Sequence, residues 1–112
     1  MAGVFYSPKA IADIERIRDY IRDALLNPEA ADRIVCAIFD AGDTLAKKPR
    51  PGARFRSDLE LLKYYRYLPV ERYILVFRVQ NDRVGVVRVL HELQDSISIL
   101  LRDVKESGGG SL

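Results

Sequence analysis

The apolar positions at the start of the chain repeat with helical spacing. The short apolar run Val4 to Tyr6 predicts a first strand, and Ser7-Pro8 then supplies an N-cap and a first-turn proline. From there the apolar side chains step by three and four, which gathers one stripe: Ile11, Ile14, Ile17, Ile21 and Leu25. We expect this stripe to be core and the intervening charges to face water: Asp13, Arg16, Asp19, Arg22 and Asp23.

A second helical stripe follows the second cap-plus-proline signal, Asn27-Pro28, and Pro49 and Pro51 bar its continuation. Its members are Ala31, Ile34, Val35, Ile38, Ala41 and Leu45. The short turn between the two stripes predicts an antiparallel helical hairpin. The single cysteine, Cys36, lies within the second stripe, and we expect it to be a small buried residue and not a reactive thiol.

The spacing of apolar residues is no longer helical in the second half of the chain. The segment from Lys47 to Glu60 has two prolines and a glycine, so it predicts an exposed basic loop, with a short helical turn near Ser57 to Leu61. Three runs rich in Tyr, Val and Ile then predict strands over 63–68, 72–79 and 83–90, with turns at 69–71 and 80–82.

These elements predict an α+β domain of order β-α-α-β-β-β. The three later strands form an antiparallel meander, the first strand adds an edge, and the helical hairpin packs on the small antiparallel sheet. With 112 residues, we expect one domain over 1–104 and a flexible tail over 105–112, KESGGGSL.

Composition argues against a secreted, membrane-spanning or metal-binding protein. The chain has no secretory signal and no run long enough to span a membrane, so we expect a cytoplasmic protein. One cysteine and one histidine cannot build an internal disulfide or a familiar structural zinc site. We therefore expect neither a metal nor another cofactor.

Charge is concentrated in the middle of the chain. Residues 47–88 carry eleven Lys and Arg against four Asp and Glu, a net charge of +7, while both flanks are acidic. Such a distribution attracts phosphates or an acidic protein. Arginines that alternate with apolar residues also commonly form the solvated side of a sheet, and for most of these positions we favour that explanation.

In order and spacing, several segments together resemble the RelE/ParE toxin superfamily of bacterial toxin–antitoxin systems, over roughly residues 4 to 101. They are FYSPKAIADIERIRDYI, NPEAADRIVCAI, TLAKKPRPGARF, YYRYLPVERYILVFRV and VVRVLHELQDSISILL. The resemblance implies a toxin, and the superfamily has two relevant branches. The ParE branch is associated with inhibition of DNA gyrase, and the RelE branch cleaves messenger RNA in the ribosomal A site.

Chemistry separates the two branches. Metal-free RNA cleavage needs groups that activate the 2′-OH, stabilise the phosphorane and protonate the leaving oxygen. As a nuclease the chain would use Arg66, Arg78 and His91, but no aromatic or basic residue follows His91 until Arg102. The ParE branch is therefore favoured, and on that branch no catalytic residue is expected. As a lone histidine, His91 is expected to be structural.

The ParE-like pattern covers Arg66, Leu68 to Val70, Arg72-Tyr73, Phe77-Arg78, His91, Asp95 and Leu100. It departs from the branch at Phe77, where Tyr is usual, and at Glu92-Leu93. We expect Asp95 to cap the following segment. The candidate residues for binding the target or an antitoxin are Arg66, Arg72, Arg78, Arg88, His91 and Asp95.

The resemblance also implies partners. We expect a cognate antitoxin, ParD-like or related, in a toxin–antitoxin hetero-oligomer, and DNA gyrase as the target. Binding to a membrane or to a specific nucleic-acid sequence is not expected. Two alternatives stay open: a RelE-like ribosome-dependent endoribonuclease, and a non-toxic homologue that only binds antitoxin.

Overall fold

The computed structural model describes residues 3–47, 53–54 and 62–106, with the backbone alone described at 53–54. Eight elements follow one another, α1 continuing directly into a π-helical segment at Tyr20–Ala24. They are β1 Val4–Tyr6, α1 Pro8–Asp19, α2 Pro28–Lys47, β2 Ala53–Arg54, β3 Tyr65–Val70, β4 Tyr73–Gln80, β5 Arg83–His91 and α3 Ser96–Glu106. The strands form one sheet in the order β1-β5-β4-β3-β2.

The sheet is mixed. Strands β3, β4 and β5 form the predicted antiparallel meander, whereas β1 is an edge strand that runs parallel to β5. The two-residue β2 pairs with β3 and was not predicted, because it lies inside the segment expected to be a loop. The helical turn predicted near Ser57 to Leu61 lies outside the described residues, as does the tail from 107 onward.

The first helix begins as its capping signal predicts. The Ser7 hydroxyl oxygen accepts a hydrogen bond from the Ala10 backbone N–H at 3.0 Å, and the same hydroxyl donates to the Val87 carbonyl at 2.7 Å. Ser7 therefore caps α1 and joins its start to β5. The N-cap prediction is confirmed.

The predicted α1 stripe is correct at its centre and wrong at its ends. Ile14 and Ile21 are buried, but Ile11 and Leu25 are 39% and 55% exposed. One residue step, about 100°, carries Ile11 away from the face centred on Ala10. Leu25 follows the wider turn of the π-helix, which changes the phase of the stripe.

The α2 stripe is confirmed, since its buried side chains include Ala31, Ile34, Ile38 and Leu45. Cys36, however, is exposed, so the expectation of burial was wrong. It stands two residue steps, about 200°, from both Ile34 and Ile38, which places it on the opposite side of the helix.

The strand boundaries shift by about two residues at β3. Pro69 lies within this strand, opposite Ile74, and the turn falls at Glu71-Arg72, where Glu71 has a φ of 58°. The turn at Asn81-Asp82 is confirmed, with φ values of 53° and 61° that suit a two-residue hairpin loop.

A third helix covers the second face of the sheet. The α1–α2 hairpin packs on one cluster that includes Leu75, Phe77 and Val86. Leu100 and Val104 of α3 pack on the other cluster, which includes Val76 and Leu90. The α+β fold is confirmed, but α3 adds a layer that was not predicted, and this helix includes Lys105 and Glu106, which were expected to belong to a flexible tail.

None of the helices within the described residues is sufficiently long and apolar to cross a membrane.

Candidate functional site

Arg88 lies in a buried ion-pair network between the helical layers. Its Nε and Nη2 donate to both carboxylate oxygens of Asp13 at 2.7 and 2.9 Å, and its Nη1 donates to Asp103 Oδ2 at 2.9 Å. The Val89 backbone N–H also donates to Asp13, at 2.9 Å. Arg88 and Asp13 are 9% and 1% exposed, so this guanidinium holds α1, β5 and α3 together and is not presented to a partner.

Asp13 is the clearest difference between expectation and structure. Its position in α1 predicted a water-facing charge, and that prediction was wrong because Arg88 draws the carboxylate into the core. A carboxylate can be buried at moderate cost only when its charge is paired and its oxygens are hydrogen-bonded, as they are here.

The network continues to the surface through Lys9, whose Nζ lies 2.8 Å from Asp103 Oδ1. Burial works to raise the pKa of Asp103, but hydrogen bonds from Lys9 and Arg88 outweigh burial, so its pKa is lowered. Hydrogen bonds to Asp13 and Asp103 likewise raise the pKa of Arg88 above its ordinary value against the effect of burial. Hydrogen bonds to Asp103 likewise raise the pKa of Lys9, so Lys9, Arg88 and Asp103 are charged at neutral pH.

Arg66 and Arg78 lie on opposite faces of the sheet. Arg66 pairs across strands with Phe77, a residue of the cluster under the helical hairpin, whereas Arg78 pairs with Tyr65 of the α3 cluster. The Arg78 guanidinium carbon stands 5.4 Å from the centre of the Tyr65 ring. Residues directly opposite share a face, so the two arginines cannot act on one substrate group from the same side.

His91 ends β5 at the far end of the sheet, opposite Tyr73. Its Nδ1 accepts a hydrogen bond from the Leu93 backbone N–H at 3.1 Å, and its own backbone N–H donates to Gln94 Oε1 at 2.8 Å. Its ring packs edge-on against Tyr73, with 5.4 Å between ring centres. These contacts give His91 a structural role in the turn that leads to α3.

Exposed and partly buried residues lie around His91, and we call this region the His91 surface: Tyr20, Arg72, Tyr73, His91 and Leu93. Burial, and then the charge on the nearby Tyr20, raise the pKa of Tyr73. The Arg72 side chain is 80% exposed, with the Glu92 carboxylate 3.7 Å away, and Leu93 is 85% exposed. An exposed leucine among tyrosines and an arginine suits protein binding.

Asp95 lies beside this surface and caps α3. It accepts hydrogen bonds from the Ser98 backbone N–H at 3.2 Å and from the Ser98 hydroxyl at 2.8 Å. These hydrogen bonds, the one from the hydroxyl foremost, lower the pKa of Asp95. The capping prediction is confirmed, and it accounts for Asp95 without a partner.

Of the sequence candidates, the structure brings together Arg72 and His91 at one end of the sheet, with Asp95 beside them. Arg66 and Arg78 lie toward the other end, and Arg88 is buried between layers. Leu93 and Tyr20 were missed, and their only signal was an apolar residue placed in a polar turn or at a helix end. Within the described part of the chain, no group of three His, Cys, Asp or Glu side chains could hold a metal ion.

Comparison with known proteins finds toxins of type II toxin–antitoxin systems among those with a similar sequence and fold. Residues 4–96 match the family model for the ParE toxin of the type II toxin–antitoxin system parDE. Toxin RelE2 of Caulobacter vibrioides is 33% identical over 91 residues, which cover 81% of this chain and 96% of the relative. Toxin RelE3 of the same organism is 29% identical over 94 residues, covering 84% and 98%.

Solved structures from toxin–antitoxin systems have a similar fold. A chain from the chromosomal ParDE system of P. aeruginosa superposes with a TM-score of 0.67 and 26% identity, covering 81% of this chain and 96% of that one. The Mycobacterium tuberculosis toxin–antitoxin complex RelBE2 contains a chain with the same fold, with a TM-score of 0.59, 22% identity, and 80% and 96% coverage. With the family model matching most of its length, the chain belongs to the ParE toxin family of type II toxin–antitoxin systems.

Proposed function

We propose that this toxin inhibits DNA gyrase by protein binding, without chemistry of its own, and that a cognate antitoxin neutralises it. The observation that carries the proposal is the separation of Arg66, Arg78 and His91. Two of these residues lie on opposite faces of the sheet, and the third lies at the other end with its Nδ1 engaged in a turn. General acid–base catalysis needs its groups within hydrogen-bond reach of one reacting atom, which this arrangement does not favour.

The His91 surface is the proposed gyrase contact. It combines exposed apolar area with an arginine, the residue types that carry binding energy at protein interfaces. Within the described residues, the Arg72 guanidinium pairs only with Glu92, at 3.7 Å, so little interaction energy is lost when it turns to a partner.

The origin of the similar solved structures supports an antitoxin as a partner. The similar chains come from a ParDE system and from a toxin–antitoxin complex, RelBE2. We expect a ParD-like or related antitoxin to form a hetero-oligomer with this chain and to cover the His91 surface. Gyrase and antitoxin would then exclude each other sterically.

A ribosome-dependent endoribonuclease is the second candidate, favoured by the names of the two curated relatives, Toxin RelE2 and Toxin RelE3. In that case Arg66, Arg78 and His91 would be the catalytic residues. The two functions make opposite predictions for the same variants.

The deciding experiment is induced expression in a bacterial host, with gyrase cleavage complexes and messenger RNA ends measured in the same culture. We expect cleavage complexes and a DNA damage response with intact transcripts. Codon-positioned cuts without DNA damage would establish the nuclease instead. Antitoxin binding with no growth arrest would identify a non-toxic homologue.

Variants sharpen this result. Arg72→Glu should reduce cleavage-complex formation, whereas Arg102→Glu, an equal charge reversal at a 65% exposed side chain of α3, should not. His91→Asn keeps a hydrogen-bond acceptor for the Leu93 N–H but removes the imidazole. Because the exposed Arg72 and Leu93 carry the proposed gyrase contact and His91 holds the turn, we expect His91→Asn to retain toxicity. Loss of a general acid or base would instead slow a nuclease by about 10²-fold or more.

A further inference from the structure

The corner between α1 and α2 departs from regular helix geometry twice in succession. The first helix ends in the π-helical segment Tyr20–Ala24, and Leu26 follows with a φ of 53°. Single π-helical turns are rare and frequently lie at functional sites. A leucine is also an uncommon residue in the left-handed region, where glycine or asparagine usually follows the end of a helix. We call Leu25 and Leu26 the corner leucines.

Both irregularities leave an apolar side chain in water. Leu25 is 55% exposed and Leu26 is 83% exposed. Glycine or asparagine at position 26 would adopt the same backbone with less strain, so the fold gains little from a leucine there. A strained backbone position that carries an exposed apolar side chain indicates a role in binding and not in folding.

The backbone of the corner is fixed on both sides. The Leu25 N–H donates to the Tyr20 carbonyl at 3.1 Å, and the Asn27 N–H donates to the Ile21 carbonyl at 3.1 Å. The Asn27 side-chain oxygen then accepts a hydrogen bond from the Ala30 N–H at 3.1 Å, at the start of α2. The corner leucines are therefore presented on a preorganised backbone, so little ordering entropy is lost when a partner binds them.

The corner lies at the same end of the molecule as the His91 surface. Tyr20, which belongs to that surface, precedes the corner and is close enough to Tyr73 to affect its pKa. After the corner, the Arg33 guanidinium of α2 donates to the Glu71 carboxylate at 2.7 Å, in the turn between β3 and β4. Because contacts on both sides of the corner reach this end of the sheet, the corner leucines border the His91 surface.

The charges next to the corner leucines argue against a polyanionic partner. Arg22 is paired with Asp19 at 3.1 Å and with Asp23 at 2.8 Å. The first turns of α2 add the exposed carboxylates of Glu29 and Asp32. Nucleic acids and anionic lipids bind to surfaces with an excess of positive charge, which this corner lacks. An exposed apolar corner among balanced or negative charges suits an apolar pocket on a protein.

We infer that the corner leucines extend the proposed gyrase contact, and that Leu26 enters an apolar pocket on the gyrase protein. This inference rests on the proposed function, because it adds a second part to the contact made by the His91 surface. Since the Leu26 side chain is 83% exposed, its burial in such a pocket would remove most of its apolar area from water.

The test measures the affinity of the purified full chain for purified gyrase and the melting temperature of each variant. Leu26→Asn removes the apolar side chain and suits a positive φ. The affinity for gyrase should therefore fall about tenfold or more, while the melting temperature stays unchanged or rises. Leu26→Met keeps the apolar area and should bind gyrase within about twofold of the unsubstituted chain. A purely structural role for Leu26 would instead lower the melting temperature in Leu26→Asn.

The matched control is Tyr64→Asn. It removes a 62% exposed side chain just before β3, at the end of the sheet opposite the His91 surface. The affinity for gyrase should change by less than about twofold. Equal weakening by Tyr64→Asn and Leu26→Asn would overturn the inference, because any loss of exposed apolar area would then explain the effect. A fall of about 4 °C or more in the melting temperature of Leu26→Asn would also overturn it.

Failure of the inference and failure of the proposed function give different results. If the unsubstituted chain does not bind gyrase, the proposed function is refuted and the inference with it. If Arg72→Glu weakens gyrase binding and Leu26→Asn does not, the inference alone is refuted. Conversion of a dimer into a monomer by Leu26→Asn, measured by size-exclusion chromatography with light scattering, would assign the corner leucines to a second copy of the chain and overturn the inference.

Discussion

Removal of the Asp13 carboxylate tests the central ion-pair network most directly. Asp13 is 1% exposed and accepts hydrogen bonds from the Arg88 guanidinium and from the Val89 backbone. In Asp13→Ala, Arg88 stays buried with Asp103 as its remaining carboxylate partner. Breaking a buried pair from one side costs about 3 to 5 kcal/mol, a large part of the roughly 5 to 15 kcal/mol that stabilises a domain.

The assay is urea unfolding at pH 7, followed by circular dichroism, together with a thermal melt. At about 4 °C per kcal/mol for a domain of this size, the melting temperature should fall by about 12 to 20 °C. Asp19→Ala is the control, because it removes a carboxylate from an exposed pair with Arg22 in the same helical segment, and it should have a much smaller effect.

The double variant Asp13→Leu/Arg88→Met distinguishes a broken pair from a damaged fold. It removes both charges and leaves apolar side chains of similar size, so it should recover most of the stability lost in Asp13→Ala. The reasoning is refuted if Asp13→Ala costs less than about 1 kcal/mol, or if the double variant is less stable than Asp13→Ala.

Three further predictions follow from single contacts. Gly42→Ala should destabilise the chain by about 1 to 3 kcal/mol, although alanine normally favours a helix, because a Cβ at this position would overlap the Tyr6 hydroxyl. Adding Tyr6→Phe should restore part of the lost stability. A higher melting temperature for Gly42→Ala would contradict the contact. The pKa of Asp103 lies below its ordinary 3.8 in the folded state, so its charge stabilises the fold above that pH, and this contribution is lost as the pH falls below it. The difference in melting temperature between the unsubstituted chain and Asp103→Asn should therefore be full at pH 7 and shrink below about pH 3.8. A difference that stays constant with pH would rule the mechanism out. Cys36 should react with a thiol reagent under native conditions at close to its rate in denaturant, with Cys36→Ser as the blank, and protection from the reagent would show that it is buried after all.

Much of the fold could be predicted from local signals. Ser7-Pro8 and Asn81-Asp82 each determine a short piece of backbone, the first through a side-chain hydrogen bond and the second through tolerance of positive φ. The buried stripe of α2 could be predicted equally well, because its apolar spacing is regular over its whole length. These features depend on neighbours in sequence, so the residues themselves carry the information.

Other features depend on contacts between distant residues, and these could not be predicted. The burial of Asp13 needs Arg88, 75 positions away. The π-helical segment at Tyr20–Ala24 keeps Ile21 buried while leaving Leu25 exposed, which no periodic pattern expresses. The prediction of the candidate site was the least accurate. The sheet faces on which Arg66, Arg78 and Arg88 lie depend on strand register and on the irregularity between Val76 and Phe77.

The parallel pairing of β1 with β5 has a consequence for how the toxin is made. Residues 4–6 leave the ribosome well before their partners, residues 84–86, and the Ser7 hydroxyl can donate to the Val87 carbonyl only once Val87 has been synthesised. Bringing residues so far apart in sequence together costs chain entropy before their contacts form, so the sheet edge should form only after residues 84–87 have been synthesised. A nascent chain that has not yet reached these residues therefore lacks both the β1 edge of the sheet and the hydrogen bond that joins the start of α1 to β5.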